Sequence, residues 1–306
     1  MTGVQTCALP IYPEEDRSSK PAQQLQRAIT EGSAEDEGWR VRKDGSKFWA
    51  DAVVTALWDS EGVLQGFSKV TRDITERKQA EDSVREVSGR LLQIQDEERR
   101  HFARELHDSA GQMLAALHMN LVALETEAST IGGSAVNLVQ KNLDLVAELS
   151  KEVRTISHLL HPPLLDDLGL SAAIRDYVQG FAERSKINVD LDIPAEFGRL
   201  PREFETAIFR VVQESLTNIH RHSESPIARI RISHSEKTVN VEIQDEGKGM
   251  SPEKRSELKL AGKAGVGIRG MRERLRQLGG TLEIEPGRNG PGTVVIAQLP
   301  ASNAKG

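Results

Sequence analysis

Apolar residues recur at intervals of three and four along two long stretches and alternate with polar ones along several short stretches. With residues set about 100° apart, Ala103, Leu106, Ala110, Met113, Leu114, Leu117, Leu121 and Leu124 fall on one broad stripe, which predicts a long amphipathic helix from Leu91 to Glu127. Val139, Asn142, Val146, Leu149, Val153, Ile156 and Leu160 have the spacing of a bundle seam and predict a second helix over 136–161, stopped by Pro162-Pro163. Thr130-Ile131-Gly132-Gly133-Ser134 breaks the chain between them, so an antiparallel helical hairpin is expected. Two helices bury such a seam poorly alone. A homodimer that completes a four-helix bundle is the expected remedy.

The flanking stretches read differently. Over 13–75, Gln23–Thr30 suits two helical turns, and three β-rich runs are separated by Asp44-Gly45 and by Asp59-Ser60-Glu61-Gly62, which predicts an antiparallel meander. Residues 76–95 are charged and free of breakers, as in a helical linker. After Gly169 helices are predicted at 170–184, 201–222 and 267–278, with strands near 187–193, 228–233, 238–245, 280–285 and 292–299. Helices alternating with closely linked strand pairs predict an α/β sandwich. The chain is therefore expected to be multidomain α+β: a partial antiparallel sheet, a helical hairpin over 96–163 and an α/β sandwich over 164–302.

Composition narrows the possibilities. The chain has 306 residues, and 40 Lys and Arg against 46 Asp and Glu leave a net charge of −6, which argues against direct nucleic-acid binding driven by bulk charge. No run approaches the roughly 20 apolar residues of a membrane span, so a cytoplasmic fragment is expected, with membrane anchoring of the full-length protein left open. One Cys excludes a disulfide framework and a Cys-based zinc site. That Cys lies in Met1–Ile11, which has no helical or strand period and back-translates into a string resembling a widely used sequencing adapter. Residues 1–12 are thus expected to be an artefact, with the natural gene cut near Tyr12.

Two sets of polar residues suit phosphate chemistry. On the first long helix His107 lies at the edge of the apolar stripe, about 80° from its centre, while Asp108 and Gln112 are i,i+4 neighbours on the exposed face beside it. A ring steadied by the bundle keeps one nitrogen in solvent, a carboxylate beside it can hold its tautomer or take its proton, and a carboxamide can orient water. By spacing alone an exposed helix histidine is more often idle, and seven others occur here. In the second set, a helix opened by Pro201 has an inner face of Ile208, Val212, Leu216 and Ile219. Its polar stripe is Glu214, Asn218 and His222, flanked by Arg221. Oxygen-bearing and basic groups in a row suit hydrated Mg²⁺ with phosphates. A solvated face would be the commoner reading of that stripe alone. Asp245-Glu246-Gly247-Lys248-Gly249-Met250 follows a strand, and Gly265-Val266-Gly267 opens a helix where backbone N–H groups can meet phosphates.

Glu98-Arg99-Arg100-His101-Phe102-Ala103-Arg104-Glu105-Leu106-His107-Asp108-Ser109-Ala110-Gly111-Gln112 resembles the dimerisation and phosphoacceptor motif of sensor histidine kinases, in the subgroup paired with NarL/LuxR-type response regulators. His161-Pro162-Pro163-Leu164-Leu165-Asp166-Asp167-Leu168-Gly169-Leu170 resembles that subgroup's exit from the second helix. The three elements of the nucleotide stretch resemble the N, G1 and G2 boxes of the GHKL ATP-binding fold. The resemblance implies His107 as phosphoacceptor, Asp108 as its acid/base partner and Gln112 as the phosphatase residue. It implies Asn218 on Mg²⁺ and Asp245 on the adenine amino group of ATP. It further implies that Gly247, Gly249, Gly265 and Gly267 shape the pocket, that Thr293 supports Asp245, and that 251–264 is a mobile lid. Glu214 is counted among the ATP-binding residues, its role open. Residues 38–50 resemble the C-terminal half of a PAS sensor domain, and 73–78 its junction to a signalling helix. Trp39, Phe48, Trp49, Trp58 and Phe67 are expected in its core.

The chain is thus expected to phosphorylate itself on His107 from ATP–Mg²⁺ and to pass the phosphoryl group to an Asp of a separate regulator. One alternative is a non-catalytic dimeric ATP-binding scaffold, which would bind ATP without transfer. The other is a GHKL ATPase or serine kinase, which would leave acid-stable phosphate on a partner.

Overall fold

The computed structural model describes residues 11–131, 133–194, 197–254, 265–288 and 290–301. The expected artefact up to residue 10, the glycine break at Gly132 and most of the expected lid lie outside the described residues. The chain divides into two compact units between Val87 and Ser88.

The first unit holds α1 (Lys20–Glu31) and the strands β1 (Ser33–Val41), β2 (Lys47–Trp58) and β3 (Leu64–Asp73), paired antiparallel in the order β1-β2-β3 as the turns predict. Asp44 and Asp59 fix those turns by accepting backbone N–H groups from Ser46, and from Glu61 and Val63. The aromatic core expected here is found only in part: Phe67 packs on the core and Phe48 and Trp49 are half-buried, but Trp39 and Trp58 lie outside it. Ala28, Ala34 and Val54 form the core, with Leu25 and Phe67 packed against it, while Trp39 and Trp58 are nearly half exposed. Strand alternation explains Trp39: Ala34, Gly38 and Arg40 point inward, so Trp39 faces the other side, edge-on to Trp49 at 5.3 Å. Arg40 fills the inner position and pairs with Asp36 at 2.6 Å.

The second unit begins within α2 (Thr75–Glu105). A π-helical turn, Leu106–Ala110, follows, then α3 (Gly111–Ile131) and α4 (Gly133–Leu160). α3 and α4 form the expected hairpin, but its seam differs from the predicted one. Leu143, Val146 and Ser157 are buried on α4, whereas Asn142, Leu149 and Ile156 are exposed. Two overlapping heptad stripes run along α4. The one facing the hairpin carries serines, whose small side chains allow close backbone approach: Ser157 Oγ donates to the Ala103 carbonyl at 2.9 Å. The stripe predicted along the first long helix also splits, with Ala110 of the π turn and Leu114 and Leu121 of α3 partly covered and Met113, Leu117 and Leu124 exposed.

Past α5 (Pro163–Asp167) come α6 (Leu170–Ser185), β4 (Asn188–Asp192), α7 (Arg202–Asn218), a second π-helical turn (Ile219–Ser223), β5 (Ile227–His234), β6 (Thr238–Asp245), α8 (Val266–Gln277), β7 (Thr281–Pro286) and β8 (Thr293–Pro300). The sheet order is β4-β5-β6-β8-β7; β4 and β5 are parallel and the other pairs antiparallel. The parallel pair needs a crossover, which α7 supplies. Ala228, Ile230 and Ile232 alternate with exposed residues on β5, as do Val239, Val241 and Ile243 with less buried ones on β6. Their inner face meets Ile174, Phe209, Val212, Leu216 and Leu275 of the helices, which gives the predicted sandwich. No helix among the described residues is long and apolar enough to cross a membrane.

Candidate functional site

His107 lies inside the first π-helical turn, closed by the Gly111 N–H donating to the Leu106 carbonyl five residues back. The unbroken helix expected here is therefore corrected. The extra residue in the turn defeats the uniform angular spacing used to place His107, Asp108 and Gln112. The histidine side chain is 61% exposed, and Gln112 is exposed one turn on. His107 Nδ1 lies 3.1 Å from Asp108 Oδ1. An ionised carboxylate only accepts, so Nδ1 carries the proton and donates, leaving the Nε2 lone pair toward solvent.

The other expected residues gather at the end of α7 and the loops after β6 and before β8. Asn218 Nδ2 donates to Glu214 Oε1 at 3.3 Å, and both side chains are half-buried. Gly267, in the first turn of α8, abuts the Glu214 carboxylate, and Gly265 caps that helix. The row Glu214–Asn218–His222 is broken after Asn218, because the second π turn starts there, and Arg221 and His222 are exposed. The sequence stripe assumed one helical period through a point where the period changes.

Asp245 is buried, 4% exposed, at the end of β6. It accepts the Gly247 N–H at 2.8 Å and is held by hydrogen bonds from Thr293, side chain and backbone. Burial pushes its carboxyl above the usual value, and those hydrogen bonds oppose the shift. Gly247 fits only because it lacks a side chain: a Cβ there would lie 2.0 Å from the Ser223 carbonyl. That carbonyl accepts the Lys248 N–H at 2.9 Å, and Ser225 Oγ accepts the Glu246 N–H at 3.1 Å. The end of the second π turn thus cradles the glycine loop. Gly249, at φ +70°, meets Gly292, which itself packs against the Asp245 carbonyl. Ser223, Ser225 and Gly292 are parts of the site that the sequence reading missed. Only Gly292 carried a local signal, in Pro291-Gly292-Thr293.

These atoms suit a nucleotide. A buried carboxylate fixed by two neighbours can accept an exocyclic amine, and donation by Asn218 Nδ2 to Glu214 leaves Asn218 Oδ1 free as an oxygen donor for a hard cation.

Comparison with known proteins agrees. Residues 203–303 match the family described as histidine kinase-, DNA gyrase B- and HSP90-like ATPase, and residues 98–165 match the HisKA_3 histidine kinase family. The chain is 30% identical over 251 residues to the sensor histidine kinase MctS of Rhizobium johnstonii, covering 82% of this chain and 53% of that protein. It is 31% identical over 238 residues to the signal transduction histidine-protein kinase/phosphatase DegS of Brevibacillus brevis, covering 76% of this chain and 60% of that one. It is 30% identical over 263 residues to the oxygen sensor histidine kinase NreB of Staphylococcus carnosus, covering 86% and 74%. The chain thus spans little more than half the length of the first two relatives. With an ATPase-family match over the nucleotide loops and a HisKA_3 match over the exposed histidine, this chain belongs to the sensor histidine kinases.

Proposed function

We propose that the chain is a protein histidine kinase that transfers the γ-phosphoryl group of ATP to Nε2 of His107. The observation that carries this reading is the His107–Asp108 pair: Nδ1 is engaged at 3.1 Å, while the ring is 61% exposed. Attack by Nε2 on the γ-phosphorus forms the N–P bond as the bond to the bridging β–γ oxygen breaks, and ADP leaves. Asp108, through Nδ1, steadies the charge that grows on the ring. Asp245 receives the adenine amino group, supported by Thr293. Gly247, Gly249, Gly265 and Gly267 shape the phosphate side, with Arg221 and His222 at its rim. Asn218 with Glu214 beside it would hold Mg²⁺, which neutralises phosphate charge when bound.

The phosphoryl group then passes to an Asp of a response regulator of the NarL/LuxR type. Gln112 orients water for the reverse hydrolysis. The active form is a homodimer, supported by the exposed Met113, Leu117 and Leu124 of α3 and Leu138, Leu145 and Leu149 of α4, apolar faces that a second hairpin would cover. We assign 13–75 to the C-terminal half of a PAS domain, 76–95 to a signalling helix linker, 96–163 to dimerisation and phosphotransfer, and 164–302 to ATP binding, all in the cytoplasm.

Labelled ATP with Mg²⁺ tests this reading. The expected product is acid-labile, alkali-stable label on the unaltered chain, absent from His107→Gln and Asn218→Ala. Label that survives His107→Gln overturns it.

A further inference from the structure

Within the second unit, helix α2 meets the ATP-binding half along a polar seam that the proposed chemistry does not use. Asp96 accepts from Arg210 Nε at 3.0 Å and from Arg274 Nη1. Burial lowers both guanidinium groups to about 10, so they remain cations at neutral pH and need a counter-charge. Nearby, a Cβ at Gly89 would lie 1.6 Å from Gln277 Nε2, and one at Gly270 would touch Leu92 Cδ2 at 4.0 Å. A cleft of about 350 Å³ opens beside these contacts, between α2, α7 and α8.

The contacts sort by their distance from the chain connection. One set flanks Pro162-Pro163, where the chain leaves the hairpin for the ATP-binding half. Arg210 Nη2 donates to the Leu160 carbonyl at 2.8 Å, Gln213 Nε2 to the Leu159 carbonyl at 2.9 Å and Arg100 Nε to Asp166 Oδ2 at 2.7 Å. Rotation about this point moves that set little. The other set, Asp96 with Arg274, Gly89 with Gln277 and Leu92 with Gly270, joins α2 to α8, far from that connection, and must part if the ATP-binding half swings, while Arg210 sits at the hinge and can stay with Asp96.

His107 lies eleven residues beyond Asp96, roughly 16 Å along the helix at about 1.5 Å per residue. Its ring is mostly in solvent, and among the described residues no hydrogen bond or ion pair joins it to the ATP-binding half. Phosphoryl transfer needs the reacting atoms within about 3–3.5 Å. We propose that Asp96 is a clasp that parks the ATP-binding half against α2, and that it must release Arg274 before ATP reaches His107. The inference rests on the reading of His107 as phosphoacceptor. Asp96 acts through the position of a whole domain and is not a catalytic residue.

A cysteine pair tests both the clasp and its direction. In the full chain with Cys7→Ser, Gln277→Cys removes the side-chain end that a Cβ at Gly89 would strike, and Gly89→Cys places a thiol beside it. Mild oxidation should close this disulfide quickly, and adding Asp96→Ala should slow closure about tenfold or more, because two buried cations then face each other without a counter-charge. Equal closure rates with and without Asp96 overturn the proposal. The oxidised chain should lose His107 labelling and regain it on reduction, whereas equal labelling in both states overturns the parked assignment. Asp96→Ala without the cysteine pair should label several-fold faster than the parent, and Asp96→Glu should restore the parent rate; slower labelling in Asp96→Ala contradicts the clasp. Failure to label in every state counts against the kinase reading, and the closure rates still decide the clasp.

Discussion

The proposed adenine side and the proposed phosphoacceptor side of this molecule are built in opposite ways. Asp245 is buried, fixed by Gly247 and Thr293, with Gly292 packed on its carbonyl and the Ser223 backbone packed on Gly247. His107 stands mostly in water and is hydrogen-bonded to its own neighbour Asp108. The difference follows from what each must do. A site that holds one ligand gains by being formed in advance, since the ordering is done in folding and not at binding. A nucleophile of the kind proposed for His107, which would meet ATP and then a regulator's carboxylate, gains by being open to both. The two sides share one device: a π-helical turn, Leu106–Ala110, holds His107, and another, Ile219–Ser223, follows Asn218 and presents the Ser223 carbonyl to the glycine loop after Asp245. Such turns widen a helix and re-aim the residues that follow.

The contrast predicts unequal responses to mutation. On the open side, Asp108→Asn keeps the shape and removes the carboxylate, and should slow autophosphorylation by about 10² or more with ATP affinity unchanged. A weakened ATP affinity, measured by nucleotide titration, would break the separation of the two sides. On the closed side, Asp245→Ala should weaken ATP binding by roughly 10- to 100-fold, the worth of a hydrogen bond to a charged group. Gln112→Ala should slow dephosphorylation of a phosphorylated regulator by about 3- to 10-fold, with autophosphorylation retained.

Acidity offers a finer probe. Burial raises the Asp245 carboxyl above its ordinary 3.8, so ATP affinity should start to fall at a higher pH than for an exposed aspartate. The sign for folding is opposite. A raised folded value means that protonation favours the folded state, a contribution fully present below the unfolded value and lost as pH rises through the folded one. Acid loss of ATP binding through Asp245 should therefore precede unfolding, which calorimetry alongside nucleotide titration will separate.

Much of this architecture was legible in the sequence. β6 spans Thr238–Asp245, as its alternation predicts, and the other strands of the sandwich differ from expectation by a residue or so at their ends. Those limits are set by local signals: alternating burial, glycine turns and prolines. The π turns were not legible, because one extra residue in a helical turn leaves composition and apolar spacing intact while shifting the phase. That phase shift separates His222 from Glu214 and Asn218. The α4 seam is half legible: Val146 is buried and Val139 and Val153 are partly covered, as the spacing predicts, but the choice of Ser150 and Ser157 over Leu149 and Ile156 depends on how closely α2 and α3 approach. In the first unit the aromatics pointed to a core that strand parity assigns to Ala34 and Arg40. Asp96 gave no signal, since its partners lie more than a hundred residues away.

The central claim is that Nε2 of His107 takes the phosphoryl group. Peptide mapping of the labelled chain at alkaline pH, followed by NMR of the phosphopeptide, tests it directly. The account predicts a phosphoramidate on His107 at Nε2; label at Nδ1, on another histidine or on a serine contradicts it.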